Sequence, residues 1–369
     1  MLDPLALLMQ AVAIPSVSGT EAEVAAFLVS QLRTFCDEAS VDDAGNAVGR
    51  VGSGPVEVYF LGHIDTVPGR VPVRVENGKL YGRGAVDAKG PFCAAVAAAA
   101  RLSETAKAAL TLTLIGAVEE EVPSSRGARH ALSAYAKPNF LIIGEPSGWD
   151  AMTLGYKGRL VLKLKLEKPN FHSAGDDTTA AEDLVTCWQR IAGWAEGLGP
   201  GIFDRVQVAL QSFNTYSDGL TQRAEAVVGL RLPPACPPEK AQGELLELLA
   251  ATTGLAGSTG LTTLTTAFSG HEQPYRGPKD TLLTRAFRVG IRAEGGTPRF
   301  KLKTGTSDMN VVAPHWEVPM LAYGPGDSAL DHTPNEHVEI AQLERAVGVL
   351  SAVFEQLAKM HPATVSRNV

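Results

Sequence analysis

The segment Gly62-His63-Ile64-Asp65-Thr66-Val67-Pro68 follows directly on the apolar run 56–61. An imidazole and a carboxylate two residues apart point to one side of an extended segment. They stand where a buried strand spills into a loop, the ligand-binding edge of an α/β sheet. The same arrangement recurs along the chain. Residues 110–117 (LTLTLIGA) run into Glu119, Glu120 and Glu121, residues 140–144 run into Glu145, and residues 318–323 lead through a glycine-rich turn to His332. Asp87 follows Gly82-Arg83-Gly84 and opens the alanine-rich stretch 88–102. Two histidines, an aspartate and several glutamates thus converge on one edge of one sheet, the composition of a metal site with room for two ions.

Zinc accepts imidazole nitrogen and carboxylate oxygen, and a catalytic zinc keeps a position open for water. Two ions roughly 3.5–4 Å apart need a shared carboxylate and can clamp both a water and a carbonyl oxygen. The residues divide accordingly: His63 and Glu145 on one ion, Glu121 and His332 on the other, with Asp87 between them. Asp65 is too close to His63 in sequence to be a convincing ligand and suits a carboxylate that fixes the imidazole tautomer. Glu120 is placed to take a proton from an attacking water and pass it to a leaving amine. Taken singly, an H-x-D pair or three glutamates at a helix start are ordinary structural features. Their shared position after strands of one sheet points to metal-assisted hydrolysis.

The elements that must hold these residues alternate at first. Pro4 suits the first turn of a helix that Pro15 ends. Residues 21–35 place Val24, Phe27, Leu28 and Leu32 at helical spacing. Strands at 56–61, 110–118 and 140–144 with helices at 87–102 and 127–135 predict a largely parallel sheet covered on both faces. Near Gly155 the rhythm changes. Leu162, Leu164 and Leu166 alternate with Lys163, Lys165 and Glu167, as in a half-exposed antiparallel strand. A helix at 180–194, strands at 205–213 and 225–232, a helix at 238–251 and a strand at 261–268 complete the order of a small open-faced sandwich. Residues 269–274 read as a return linker, and 281–293, 316–323 and 341–357 resume helix, strand, helix. The expected architecture is therefore an α/β domain with a mostly parallel sheet (1–154 and 271–369) interrupted by an inserted α+β, ferredoxin-like domain (155–270).

The 369 residues exceed the ~250–300 at which one core usually stops growing, which agrees with two domains. A net charge of −7 excludes the basic stripe of a nucleic-acid binder. Arg299-Phe300-Lys301-Leu302-Lys303 alternates and reads as one solvated face of a strand. Cys36, Cys93, Cys187 and Cys236 lie far apart with no C-x-x-C pair, as expected for reduced thiols of a cytoplasmic protein. No apolar run approaches ~18 residues and the start lacks a secretory pattern, so no membrane span or leader is expected.

The segments GHIDTVP (62–68), YGRGAVDAKGP (81–91), GAVEEE (116–121), GEPS (144–147) and DHTPNEHVEI (331–340) resemble the dinuclear-zinc aminoacylase/carboxypeptidase metallopeptidase family, in order and spacing. That family includes acetylornithine deacetylase, succinyl-diaminopimelate desuccinylase and glutamate-releasing carboxypeptidases. The resemblance implies a zinc-dependent hydrolase of an acyl–amine bond, with a zinc-peptidase-like catalytic domain and a lid domain that also forms a homodimer. It puts His63, Asp87, Glu121, Glu145 and His332 at the metal positions, two Zn2+ per subunit with Co2+ able to substitute, and Asp65 and Glu120 at the catalytic ones. A register with Glu119 as base and Glu120 as ligand competes. Phe171-His172-Ser173-Ala174 matches a lid segment whose histidine, here His172, would reach the partner subunit's site and steady the oxyanion of the intermediate. Arg231 matches an arginine that would clamp the substrate α-carboxylate. Where many relatives carry asparagine, this chain has Asp218, which would favour a cationic substrate side chain.

The segments KTGTSDMNVVAP (303–314) and AYGPGDSALDHTPNEH (322–337) resemble a narrower group, the lysine- and ornithine-releasing hydrolases that act on an acidic amino-group carrier protein. The similarity implies cleavage of the amide between the carrier's terminal glutamate γ-carboxyl and the α-amine of lysine or ornithine, in lysine or arginine biosynthesis. Deacetylation of N-acetyl-lysine or N-acetylornithine would be a smaller version of the same reaction; desuccinylase or dipeptidase activity is the rival within the family. An acidic carrier calls for a basic rim, for which Lys157, Arg159, Lys301 and Lys303 are candidates.

Overall fold

The computed structural model describes residues 2–172, 174–250 and 262–360. Ser173, the last residue of the expected helix (Ala251) and the first of the expected strand (Leu261) lie outside the described residues. The chain forms two compact units: residues 1–155, 276–302 and 307–369 make the first, and residues 156–275 with 303–306 make the second.

The first unit is built on a sheet whose order is Glu38–Val41, Ala47–Val51, Leu110–Ala117, Val56–His63, Phe140–Gly144, Met320–Ala322, Ala151–Tyr156 and Tyr275–Arg276, with Arg299–Lys303 also paired to Ala151–Tyr156. Its four central strands, from Leu110–Ala117 to Met320–Ala322, run parallel. The outer pairings that follow on each side are antiparallel. The apolar runs that sit in the centre are almost wholly buried, which is why they carry no alternation. The antiparallel edge at 38–51 was not legible in the sequence, because Glu38–Val41 is largely exposed and carries no apolar run.

Against this sheet packs the helix Lys89–Ala99, every residue of which is buried. Its alanines combine high helix propensity with small volume, so it fits between the sheet and the long helix Ile340–Ala358. Asp87 was expected to open this helix; it precedes it, in the loop. A small antiparallel sheet, His337–Glu339 with Lys79–Tyr81 with Arg74–Glu76, sets the loop before Asp87 beside the loop after His332. No helix among the described residues is long and apolar enough to cross a membrane.

The second unit is a four-stranded antiparallel sheet, ordered Gln207–Ser217, Thr221–Leu232, Gly158–Pro169 and Thr263–Glu272. Leu160, Leu162, Leu164 and Leu166 pack with Leu184, Ile191 and Leu245 of the helices Ala180–Glu196 and Pro238–Ala250, while Lys163 and Lys165 stay exposed. The alternation thus marks the core face directly. Residues 269–272, expected as linker, instead continue the last strand, which bulges between Gly270 and Glu272.

Candidate metal centre

Three glycines lie side by side where the parallel strands end. Gly62 is in register with Gly116 on one neighbour and with Gly144 on the other. A Cβ on Gly144 would come 2.6 Å from the Phe60 ring and 2.8 Å from Gly62 Cα. The missing side chains let the strand ends close up, so His63 and Glu145, each one residue further on, emerge together.

His63 is 2% exposed. Its Nε2 lies 3.0 Å from Asp87 Oδ1 and 3.8 Å from Glu145 Oε1. His332 Nε2 lies 3.0 Å from Asp87 Oδ2 and 2.9 Å from Glu121 Oε1. His63, Asp87 and Glu145 therefore offer one set of donors, and Asp87, Glu121 and His332 a second, each set within 4.8 Å. One Asp87 oxygen faces each set. The five sequence candidates come together, and their mixture of imidazole nitrogen and carboxylate oxygen fits zinc or a similar divalent ion.

Asp65 does more than the sequence suggested. His63 Nδ1 faces the Asp65 carbonyl oxygen at 3.2 Å and Oδ1 at 3.4 Å, as expected for a tautomer-fixing partner. The carboxylate also accepts the backbone amides of Glu120 at Oδ1 and Glu121 at Oδ2, both at 3.0 Å, and the Ser18 hydroxyl at 2.7 Å. The hydrogen bond and charge of His63, helped by the Ser18 hydroxyl and the Glu121 amide, overcome the cost of burial and hold Asp65 below the usual carboxylate range. Glu21 accepts the Glu119 amide, completing the fixture of a turn in which Glu119 takes a left-handed φ of 59°. A left-handed non-glycine residue costs about 1–3 kcal/mol, which the surrounding bonds must offset.

Glu120, Glu121 and His63 also offer donors within 4.8 Å of one another. Burial, opposed by the His63 charge, holds the Glu120 carboxyl well above its ordinary range, with Glu145 and Asp308 adding to the rise. Glu119 turns elsewhere: its carboxylate meets Arg126 at 3.0 Å and the Ser124 hydroxyl at 2.6 Å.

Burial, with the Asp87 charge, raises Glu121 to about 7, and the hydrogen bond to Asp87 raises His332 to about 9. A metal must displace those protons. The affinity of the metal-free protein for zinc should therefore rise as pH climbs through about 7 and on to about 9. Competition with a chromophoric chelator at several pH values checks this; a flat profile would contradict it.

The remaining candidates lie in the second unit. His172 is exposed, and its Nδ1 accepts the Ala174 amide. Arg231 is partly buried, donates to the Thr306 hydroxyl at 3.1 Å and stands opposite Arg159 in the strand register. Asp218 caps its own hairpin turn, accepting the amides of Leu220 and Thr221 at 3.0 and 2.8 Å. Asparagine can make the same caps, so Asp218→Asn should shift the ratio of kcat/KM for cationic over neutral substrates by less than about twofold. A larger shift in a substrate panel would assign Asp218 a role in selectivity. Lys157 is not a rim residue: it is buried, with Nζ donating to the Arg205 carbonyl and Gln207, both at 2.7 Å.

Two residues went unnoticed in the sequence. Asp308, 3% exposed, opens a short buried helix, Asp308–Val312, and neither carboxylate oxygen meets a hydrogen-bond partner among the described residues. Burial, opposed by His63, raises it to about 8. Glu336 is fully buried beneath Asp87 and accepts its amide. The buried aspartate inside an apolar helix (DMNVV) was a visible signal; a glutamate in a polar loop was not.

Residues 59–356 match peptidase family M20/M25/M40. The chain is 56% identical to the LysW-lysine hydrolase of Deinococcus radiodurans, over 95% of this chain and 96% of that one. It is 29% identical to the LysW-lysine/LysW-ornithine hydrolase of Sulfurisphaera tokodaii, over 81% and 83% of the two chains. Among solved structures, an M20 family metallo-carboxypeptidase from Sulfolobus solfataricus superposes with a TM-score of 0.79 at 18% identity, covering 98% of this chain and 100% of that one. A dinuclear metal binding peptidase from Bacillus subtilis superposes with a TM-score of 0.68 at 14% identity, covering 99% and 98%.

Proposed function

The chain belongs to peptidase family M20/M25/M40 and is a hydrolase, and from that premise we propose that it releases lysine from an amino-group carrier protein of the LysW kind. The observation that carries the chemistry is the pair of donor sets sharing Asp87, with Glu120 beside them. The 56% identity to a LysW-lysine hydrolase supports the substrate. Ornithine release and deacetylation of N-acetyl-lysine are lesser versions of the same reaction.

His63 and Glu145 would hold one zinc, Glu121 and His332 the other, and Asp87 both. Such ions supply Lewis acidity at an acyl carbonyl and lower the pKa of water. Glu120 takes the proton of the attacking water at its carboxylate and returns it to the departing α-amine of lysine. That Glu119 is occupied by Arg126 and Ser124 supports this register over its rival. Asp65 keeps Glu120 and Glu121 in place through their amides and orients the His63 ring. We assign to His172 the hydrogen bond to the oxyanion that develops in the partner subunit's site, and to Arg231 the substrate α-carboxylate. Cobalt would substitute for zinc, the enzyme would act as a cytoplasmic homodimer, and Arg159, Lys301 and Lys303 remain candidates for contact with an acidic carrier.

The test is a panel of substrates with the zinc-loaded protein: carrier-linked lysine, carrier-linked ornithine, N-acetyl-lysine and a dipeptide. Carrier-linked lysine should give the highest kcat/KM. A dipeptide cleaved better than any lysine amide would overturn the assignment.

A further inference from the structure

The two loops that carry Asp87 and His332 are joined by a carboxylate that no role in the reaction explains. Glu336 stands four residues beyond His332 and has no solvent exposure. Its Oε1 accepts the backbone amides of Gly84, Val86 and Asp87, at 2.9, 3.1 and 3.2 Å. Its Oε2 accepts from Arg83 Nη1 at 2.7 Å. Its own carbonyl accepts the Gly82 amide at 3.3 Å, and the strand that follows, His337–Glu339, pairs with Lys79–Tyr81.

A concave set of amides is an anion site made of backbone. Here the chain fills it with its own carboxylate. Burying that charge is costly and raises the Glu336 pKa, but three N–H donors and a guanidinium offset the cost. A neutral packing residue would serve a fold better than a buried charge unless something needs the loop held at this spot. What needs it is visible: Asp87 Oδ2 and His332 Nε2 stand 3.0 Å apart although 245 positions (332 − 87) separate them in the chain. His332 itself sits at a left-handed φ of 63°, a conformation that its loop must enforce.

We propose that Glu336 is the positioning residue of the second metal position, strapping the Asp87 loop to the His332 loop so that both donors face one ion. The inference rests on the two-metal assignment above. The first position depends less on the strap, because His63 and Glu145 issue from adjacent parallel strands.

The experiment compares zinc binding to the full-length wild-type protein, E336Q and R83Q, by titration against a chromophoric chelator, with elemental analysis and melting temperature alongside. Glutamine keeps the shape of Glu336, but it must either lose an acceptor at the amides or present an NH2 group to Arg83. E336Q should therefore hold its second zinc about ten- to a hundredfold more weakly, the usual effect of losing a group that orients a ligand, with the first zinc much less affected. Its kcat should fall further than its KM changes. R83Q leaves the amide bonds intact and should weaken the second zinc selectively by a smaller factor; if E336Q does not fold, R83Q decides alone. Zinc affinities equal to wild type, or both zincs weakened in proportion to a lower melting temperature, would overturn the proposal. Wild-type protein that binds no zinc would instead remove the assignment beneath it.

Discussion

Glu120→Gln is expected to lower kcat by about 10³–10⁴-fold, at or near the upper end of what one general acid–base group contributes. KM should change little and zinc content should stay at two per chain. The amide is nearly isosteric, and the contact that fixes this residue is its own backbone N–H on Asp65 Oδ1, which the substitution leaves alone. What is lost is the only thing glutamine cannot do, which is carry a proton between water and amine. Steady-state kinetics with elemental analysis separates the possibilities. Loss of one zinc in this variant would show that Glu120 is a ligand and that the acid–base role belongs to Glu119. That outcome would require Glu119 to leave Arg126 and Ser124.

The second large effect is expected at Asp87. Its two oxygens face different imidazoles, His63 and His332, each at 3.0 Å. Asp87→Ala removes a donor from both sets at once, so zinc content should fall below one per chain and kcat/KM by at least on the order of 10³-fold. Glu145→Ala touches one set only. It should leave the other zinc in place and reduce activity less than Asp87→Ala does. Equal zinc loss in the two variants would mean that Asp87 is not shared.

The clustering of the donors was legible in the sequence because three of them follow strands of the same parallel sheet, and a strand end is a fixed address. His63, Glu121 and Glu145 could be placed that way, and Asp87 and His332 by the loops that must return to the same edge. What stayed hidden acts through backbone. Glu336, Ser18 and Glu21 accept or donate hydrogen bonds across long stretches of sequence to hold the Asp87 loop and the Glu119–Glu121 turn. Nothing in residue type marks such a partner. The strands Arg74–Glu76, Lys79–Tyr81 and His337–Glu339 were also missed, since three residues are too few for a period to show.

Asp218 has a structural use that its type did not reveal: its carboxylate closes a hairpin turn, which any short polar side chain can do. Lys157 was likewise counted as surface charge, yet it is buried and tied to Arg205 and Gln207. In both cases charge was legible and its neighbours were not. The glycine row Gly116, Gly62 and Gly144 lies between these extremes: each glycine was in view, but only the register shows that they line up.

The most direct test is the zinc content of the purified, reconstituted protein, measured by elemental analysis beside hydrolysis of carrier-linked lysine before and after chelation. Two zinc ions per chain, activity abolished by chelator and restored by zinc are the predicted results. Protein that retains no metal, or that releases lysine undiminished after the metal is stripped, would contradict the account.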